Sequence, residues 1–108
     1  MALKLWFRAS VAMLVLLGVV SSGEAEVIRV EVNKLTYSPN QVSAHVGDTI
    51  EWVSNDFIIH TATAKNADWD ATFPAGKSKS VVLTHPGTID YYCRFHPNMT
   101  GRIIVIAN

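Results

Sequence analysis

A second cysteine is missing from this 108-residue chain: Cys93 is alone. No disulfide can form within it, so no covalent staple supports the fold. Charge of one sign is missing too. Nine Lys and Arg stand against nine Asp and Glu, which removes the basic stripe of a nucleic-acid binder and the acidic block of a disordered tail. Long helical periodicity is absent, as are internal repeats, linkers and low-complexity stretches. The longest apolar run, ASVAMLVLLGVV at 9–20, falls short of the roughly 20 residues that a membrane-spanning helix needs.

That run has a different use. It follows MALKLWFR, whose only charges are Lys4 and Arg8, and precedes SSGEAEV with its small residues. The order is that of a secretory leader: basic start, apolar middle, small-residue cleavage site. Residues 1–25 are therefore read as a cleaved signal peptide, with cleavage after Ala25 and Gly23 as the alternative site. Retention as an N-terminal anchor is the competing reading, since Leu5, Trp6 and Phe7 lengthen the apolar stretch. Residues 26–108 form one exported domain, expected in the periplasm. A domain this small buries only a modest core and gains from a metal or a partner. An unpaired thiol in an oxidising compartment is exposed to oxidation, so a bound group at Cys93 is expected.

What is present is period-two alternation. VIRVEVN (27–33), QVSAHV (41–46), TIEWVS (49–54), SKSVVLT (78–84), GTIDYYC (87–93) and GRIIVIAN (101–108) read as strands. Ser38-Pro39-Asn40, Gly47-Asp48, Pro74-Ala75-Gly76 and His85-Pro86-Gly87 punctuate them as turns. Short strands at close spacing predict an all-β antiparallel sandwich or barrel. Alternation puts Ile89, Tyr91 and Cys93 on one face of their strand, so Cys93 ends on the core side, sheltered but next to a loop.

The chemistry concentrates at Cys93-Arg94-Phe95-His96-Pro97-Asn98-Met99. C-x-x-H-x-x-M sets a thiolate, an imidazole and a thioether on one short turn, and His60 offers a second imidazole. Two histidines, one cysteine and a weak axial methionine make the trigonal blue-copper set. Soft sulfur favours copper(I), while imidazole suits either oxidation state. Zinc accepts the histidines and the cysteine but not a neutral thioether. His45 and His85 are read as solvated surface residues, Asn98-Met99-Thr100 as a chance glycosylation match, and Trp52, Trp69 and Phe73 as core.

The chain from Glu26 to Asn108 resembles a cupredoxin of the amicyanin and plastocyanin group. Besides the ligand loop, the resemblance rests on Val46-Gly47-Asp48-Thr49-Ile50-Glu51-Trp52, on Asn55-Asp56 before His60, on Gly87 to Cys93, and on Gly101-Arg102-Ile103. It implies a cupredoxin-like Greek-key β-sandwich with copper at one end, held by His60, Cys93, His96 and Met99. Implied with it is a non-enzymatic, monomeric carrier of single electrons, docking transiently near His96. A dehydrogenase donor and a c-type cytochrome acceptor are the implied redox partners. Copper delivery or sequestration is the alternative function. A Cys93 nucleophile with a histidine base leaves Met99 unexplained, and a multicopper enzyme lacks the further histidines it needs. Three positions depart from the family pattern. Ile59 and Phe95 stand where amicyanin has proline, and Thr61 where asparagine commonly tethers the cysteine loop. Phe95 brings a backbone N–H that proline lacks, expected near the Cys93 sulfur if the loop folds as in its relatives. Phe57, Ile58, Ile59, Phe95 and Pro97 would form an apolar patch if they face outward.

Overall fold

The computed structural model describes residues 24–108; the leader expected at 1–25 lies almost wholly outside them. Among the described residues the secondary structure is nine strands: β1 Val27–Asn33, β2 Thr36–Ser38, β3 Gln41–His45, β4 Thr49–Ser54, β5 His60–Ala64, β6 Asp70–Phe73, β7 Ser78–Val82, β8 Gly87–Cys93 and β9 His96–Ile106. No helix occurs among the described residues. The strands form two sheets, one in the order β2-β1-β4-β7 and the other β3-β9-β8-β5-β6. Inward side chains alternate with outward ones, so the sheets pack face to face as a Greek-key β-sandwich. Buried Trp52 and Ile50 from the first sheet meet Tyr91, Phe73 and Ile103 from the second.

The pairing is mixed rather than purely antiparallel. β1 runs parallel to β4, and β3 parallel to β9. Each pair joins strands separated by a crossover between the sheets, which local alternation cannot reveal.

Two local features position the functional end. The first is the β1–β2 turn, where Lys34 and Leu35 have φ of 55° and 61°. Side chains with a Cβ resist this region, and a leucine there is unusual. The Asp56 carboxylate compensates by accepting both N–H groups, from Lys34 at 2.6 Å and Leu35 at 3.1 Å. The second is the Tyr91–Gly101 pair across β8 and β9. The Tyr91 ring lies over Gly101 in the space a Cβ would occupy. Its hydroxyl accepts a hydrogen bond from Trp52 Nε1 at 3.2 Å, tying the two sheets together.

Candidate metal centre

His60 opens β5, Cys93 ends β8 and His96 opens β9. Antiparallel pairing sets Cys93 opposite His96, with only Arg94 and Phe95 in the turn and a bulge at Tyr92/Cys93. Because β5 lies beside β8, His60 comes to the same end of the sandwich. The ligand atoms of the three residues lie within 4.8 Å of one another. The sulfur is 3.7 Å from Nδ1 of His60 and 3.7 Å from Nδ1 of His96. His60 and Cys93 are fully buried, while His96 keeps an edge toward solvent. Met99, the fourth residue expected here, is buried on β9 three residues past His96.

The neighbours of His60 decide which nitrogen is available. Its Nε2 lies 2.7 Å from Asp56 Oδ2. An ionised carboxylate can only accept, so Nε2 carries a proton, and in the neutral ring this leaves the Nδ1 lone pair toward the sulfur. Burial opposes ionisation of Asp56. The N–H groups of Leu35 and Lys34, followed by His60, outweigh it and hold the carboxyl below its usual range. One carboxylate thus braces a left-handed turn and orients an imidazole, an arrangement typical of metal-bound histidines. Asp56 stood in the sequence four residues before His60, but nothing there showed the carboxylate folding back onto the ring.

The sulfur accepts a hydrogen bond from the Thr61 N–H at 3.4 Å. The donor expected from Phe95 differs: among the described residues its N–H makes no bond to the sulfur. The preceding amide, Arg94 N–H, points instead to Thr61 Oγ1 at 2.8 Å. Thr61 therefore serves the cysteine loop twice, through its backbone N–H to sulfur and through its hydroxyl to Arg94. Tyr37 extends this bracing by donating its hydroxyl to the Thr61 carbonyl at 2.5 Å. Burial, followed by the nearby Cys93 and Tyr91, pushes the Tyr37 phenol far above its ordinary value.

His45 and His85 are surface residues. Phe57, Ile58 and Ile59 are exposed, Phe57 at 96%, as are Phe95 and Pro97. The rings of His60 and His96, which these apolar residues adjoin in sequence, are 5.2 Å apart. The apolar side chains expected at the surface therefore face outward.

The donor set fits copper. One thiol sulfur and two imidazole nitrogens brought together at one end of the sandwich suit a soft metal, with a thioether close by in the chain. Amicyanin from Paracoccus denitrificans is 29% identical over 84 residues, covering 72% of this chain and 64% of the relative. Amicyanin from Paracoccus versutus is 25% identical, covering 75% and 66%. The chain thus spans just under two thirds of the length of these two relatives. Plastocyanin from a Synechococcus strain is 29% identical over 103 residues, covering 79% of this chain and 76% of that protein. Among solved structures, a Cu(I) form of an amicyanin variant superposes with a TM-score of 0.68 at 25% identity, covering 80% of this chain and 86% of that one. A reduced amicyanin variant gives 0.65 at 27% identity, covering 73% and 81%. The family model described as the cupredoxin-like domain matches residues 6–105, nearly the whole sequence. With that match, a two-sheet sandwich and a His-Cys-His cluster at its end, the chain belongs to the cupredoxin-like family.

Proposed function

We propose that this protein carries single electrons through one copper ion, which His60, Cys93 and His96 would hold with Met99 as a weak fourth ligand. When bound there, copper supplies the Cu(I)/Cu(II) couple. The chain's own residues do the rest. Asp56 fixes the His60 tautomer and ring plane, the Thr61 N–H withdraws charge from the sulfur, and the sandwich holds three donors where both oxidation states accept them. The observation that carries the reading is the convergence of both Nδ1 atoms on Sγ at equal distances.

The exposed edge of His96 and the apolar residues Phe57, Ile58, Ile59, Phe95 and Pro97 supply a small, desolvated contact. A carrier that must release each partner quickly is suited by such a face. Redox proteins dock there, with a dehydrogenase as donor and a c-type cytochrome as acceptor in keeping with the amicyanin likeness. Export to the periplasm after removal of residues 1–25 completes the reading. It is compatible with the absence, among the described residues, of any helix long and apolar enough to cross a membrane.

The test is a visible and electron-spin spectrum of the purified protein with one equivalent of copper(II). An intense thiolate-to-copper band that bleaches and returns over reduction cycles is expected. Cys93→Ser should abolish it and His45→Ala should leave it. A protein that binds copper in one oxidation state only, without that band, would instead be a delivery or storage protein.

A further inference from the structure

Beneath the Cys93–His96 turn lies a chain of hydroxyl groups that the copper reading does not use. Thr61 and Thr63 share one face of β5, with their Oγ1 atoms 2.8 Å apart. Thr63 Oγ1 donates to Asp70 Oδ1 at 2.7 Å, across the β5–β6 pair. Arg94 N–H donates to Thr61 Oγ1 at 2.8 Å. The Arg94 side chain then turns back over β6, with Nε 3.3 Å from Asp70 Oδ1 and Nη2 3.2 Å from Thr72 Oγ1. The contacts close a ring from the Arg94 backbone through two threonines and an aspartate to the Arg94 guanidinium.

The direction of every bond in this ring is determined. A hydroxyl has one proton, and an ionised carboxylate has none. The Thr63 hydrogen bond, with help from Arg94 against some burial, holds Asp70 below the usual carboxylate range. Asp70 can only accept, so Thr63 spends its proton there. Thr63 must then accept from Thr61, whose own proton is spent in turn. The lone pairs of Thr61 are left to face the Arg94 N–H. Bonds aligned in this way polarise one another, so the acceptor offered to Arg94 is stronger than a free hydroxyl.

We propose that Thr63 and Asp70 are positioning residues for the ligand turn, acting through Thr61 to fix the Arg94 amide and so the path from Cys93 to His96. Thr61 alone is short for tethering a loop. The two residues behind it supply orientation in place of reach. The effect on the turn needs no metal; the effect on a bound copper rests on the function proposed above.

The experiment compares Thr63→Val, Thr63→Ser and Asp70→Ala with the parent. Asp70 is about half exposed, so its replacement leaves the core intact. Amide hydrogen exchange is read first, in metal-free protein. Thr63→Val should speed exchange at Arg94 by about tenfold, the equivalent of one hydrogen bond of about 1.4 kcal/mol. Asp70→Ala should move it the same way, and Thr63→Ser should stay near the parent. Exchange at Ile103 and Val105 in the sheet centre should not change. Copper-loaded Thr63→Val should show a shifted reduction potential that Thr63→Ser restores. Parent-like exchange at Arg94, acceleration shared with Ile103 and Val105, or an unshifted potential would each overturn the proposal. A parent protein that forms no blue complex would sink the copper reading and leave the exchange result standing.

Discussion

Replacing Gly101 by alanine tests the packing that holds the two sheets together. A Cβ at this position would lie 2.5 Å from Tyr91 Oη and 2.6 Å from Cε1, and nearer still to Cζ. Real Cβ contacts do not come so close, so the ring must move. It has little room. Tyr91 is buried, and its ring centroid is 4.6 Å from Tyr37, 5.5 Å from Trp52 and 5.6 Å from Trp69. Overpacking of this kind costs about 1–3 kcal/mol. A displaced hydroxyl also abandons the Trp52 Nε1–H in the core, which adds about 1–3 kcal/mol. A total of about 2–6 kcal/mol is a large part of the stability of a small domain. The melting temperature should fall by about 10–45 °C. Thermal and urea unfolding followed by near-ultraviolet circular dichroism would measure this. The same substitution in a Tyr91→Leu background should cost under about 1 kcal/mol, because leucine lacks all three of the obstructing atoms. The reasoning fails if Gly101→Ala is nearly neutral in the parent, or costs the same in both backgrounds.

Three further outcomes can be measured. Asp56→Ala frees His60 Nε2 and strands the Lys34 and Leu35 amides in a left-handed turn, so copper affinity should drop by about 10–100-fold in chelator competition. Asp48 accepts the backbone N–H of Glu26 at 2.9 Å and of His45 at 2.8 Å, and these bonds hold its carboxyl below the usual range. Its stabilisation should be complete above the unfolded value of about 4 and fade as pH falls through the lower native one. Asp48→Ala should therefore cost about 2–3 kcal/mol at neutral pH and progressively less in acid, as read by denaturant titration. Burial raises the Tyr91 phenol to about 12, against a smaller opposing effect of the Trp52 hydrogen bond. Neutral Tyr91 should contribute fully below the unfolded value of about 10 and lose that contribution as pH rises toward 12. Phenolate absorbance and unfolding should therefore rise together in that window.

The sequence discloses the strands whose two faces differ most. VIRVEVN, TIEWVS and GTIDYYC alternate apolar with polar side chains and fold with the same ends that the alternation marks. HTATA and DATF escape notice because small residues on both faces leave no contrast, although they become β5 and β6. The parallel partners of β1 and β3 are equally hidden, since nothing local states which distant strand will lie alongside. The same division runs through the site. Cys93 and His96 are legible because donor types at fixed spacing carry the chemistry themselves, and His60 because few histidines compete with it. Asp56, Thr63 and Asp70 are not, because their roles arise from turn closure and cross-strand register. Phe95 shows the limit of transfer by resemblance. Its N–H exists as expected, yet the sulfur takes its hydrogen bond from Thr61.

The position of β9 has a consequence for how the molecule is made. This strand lies between β3 and β8 and carries His96 and Met99. Until it has been synthesised, β3 has no neighbour in its sheet and Cys93 has no strand to turn into. A nascent chain therefore cannot complete the second sheet, however long the ribosome pauses, and its non-local pairing closes slowly once it can. Assembly of the ligand cluster is deferred in the same way: the Cys93 thiol and the imidazoles of His60 and His96 meet only after the sandwich closes, in whichever compartment that happens.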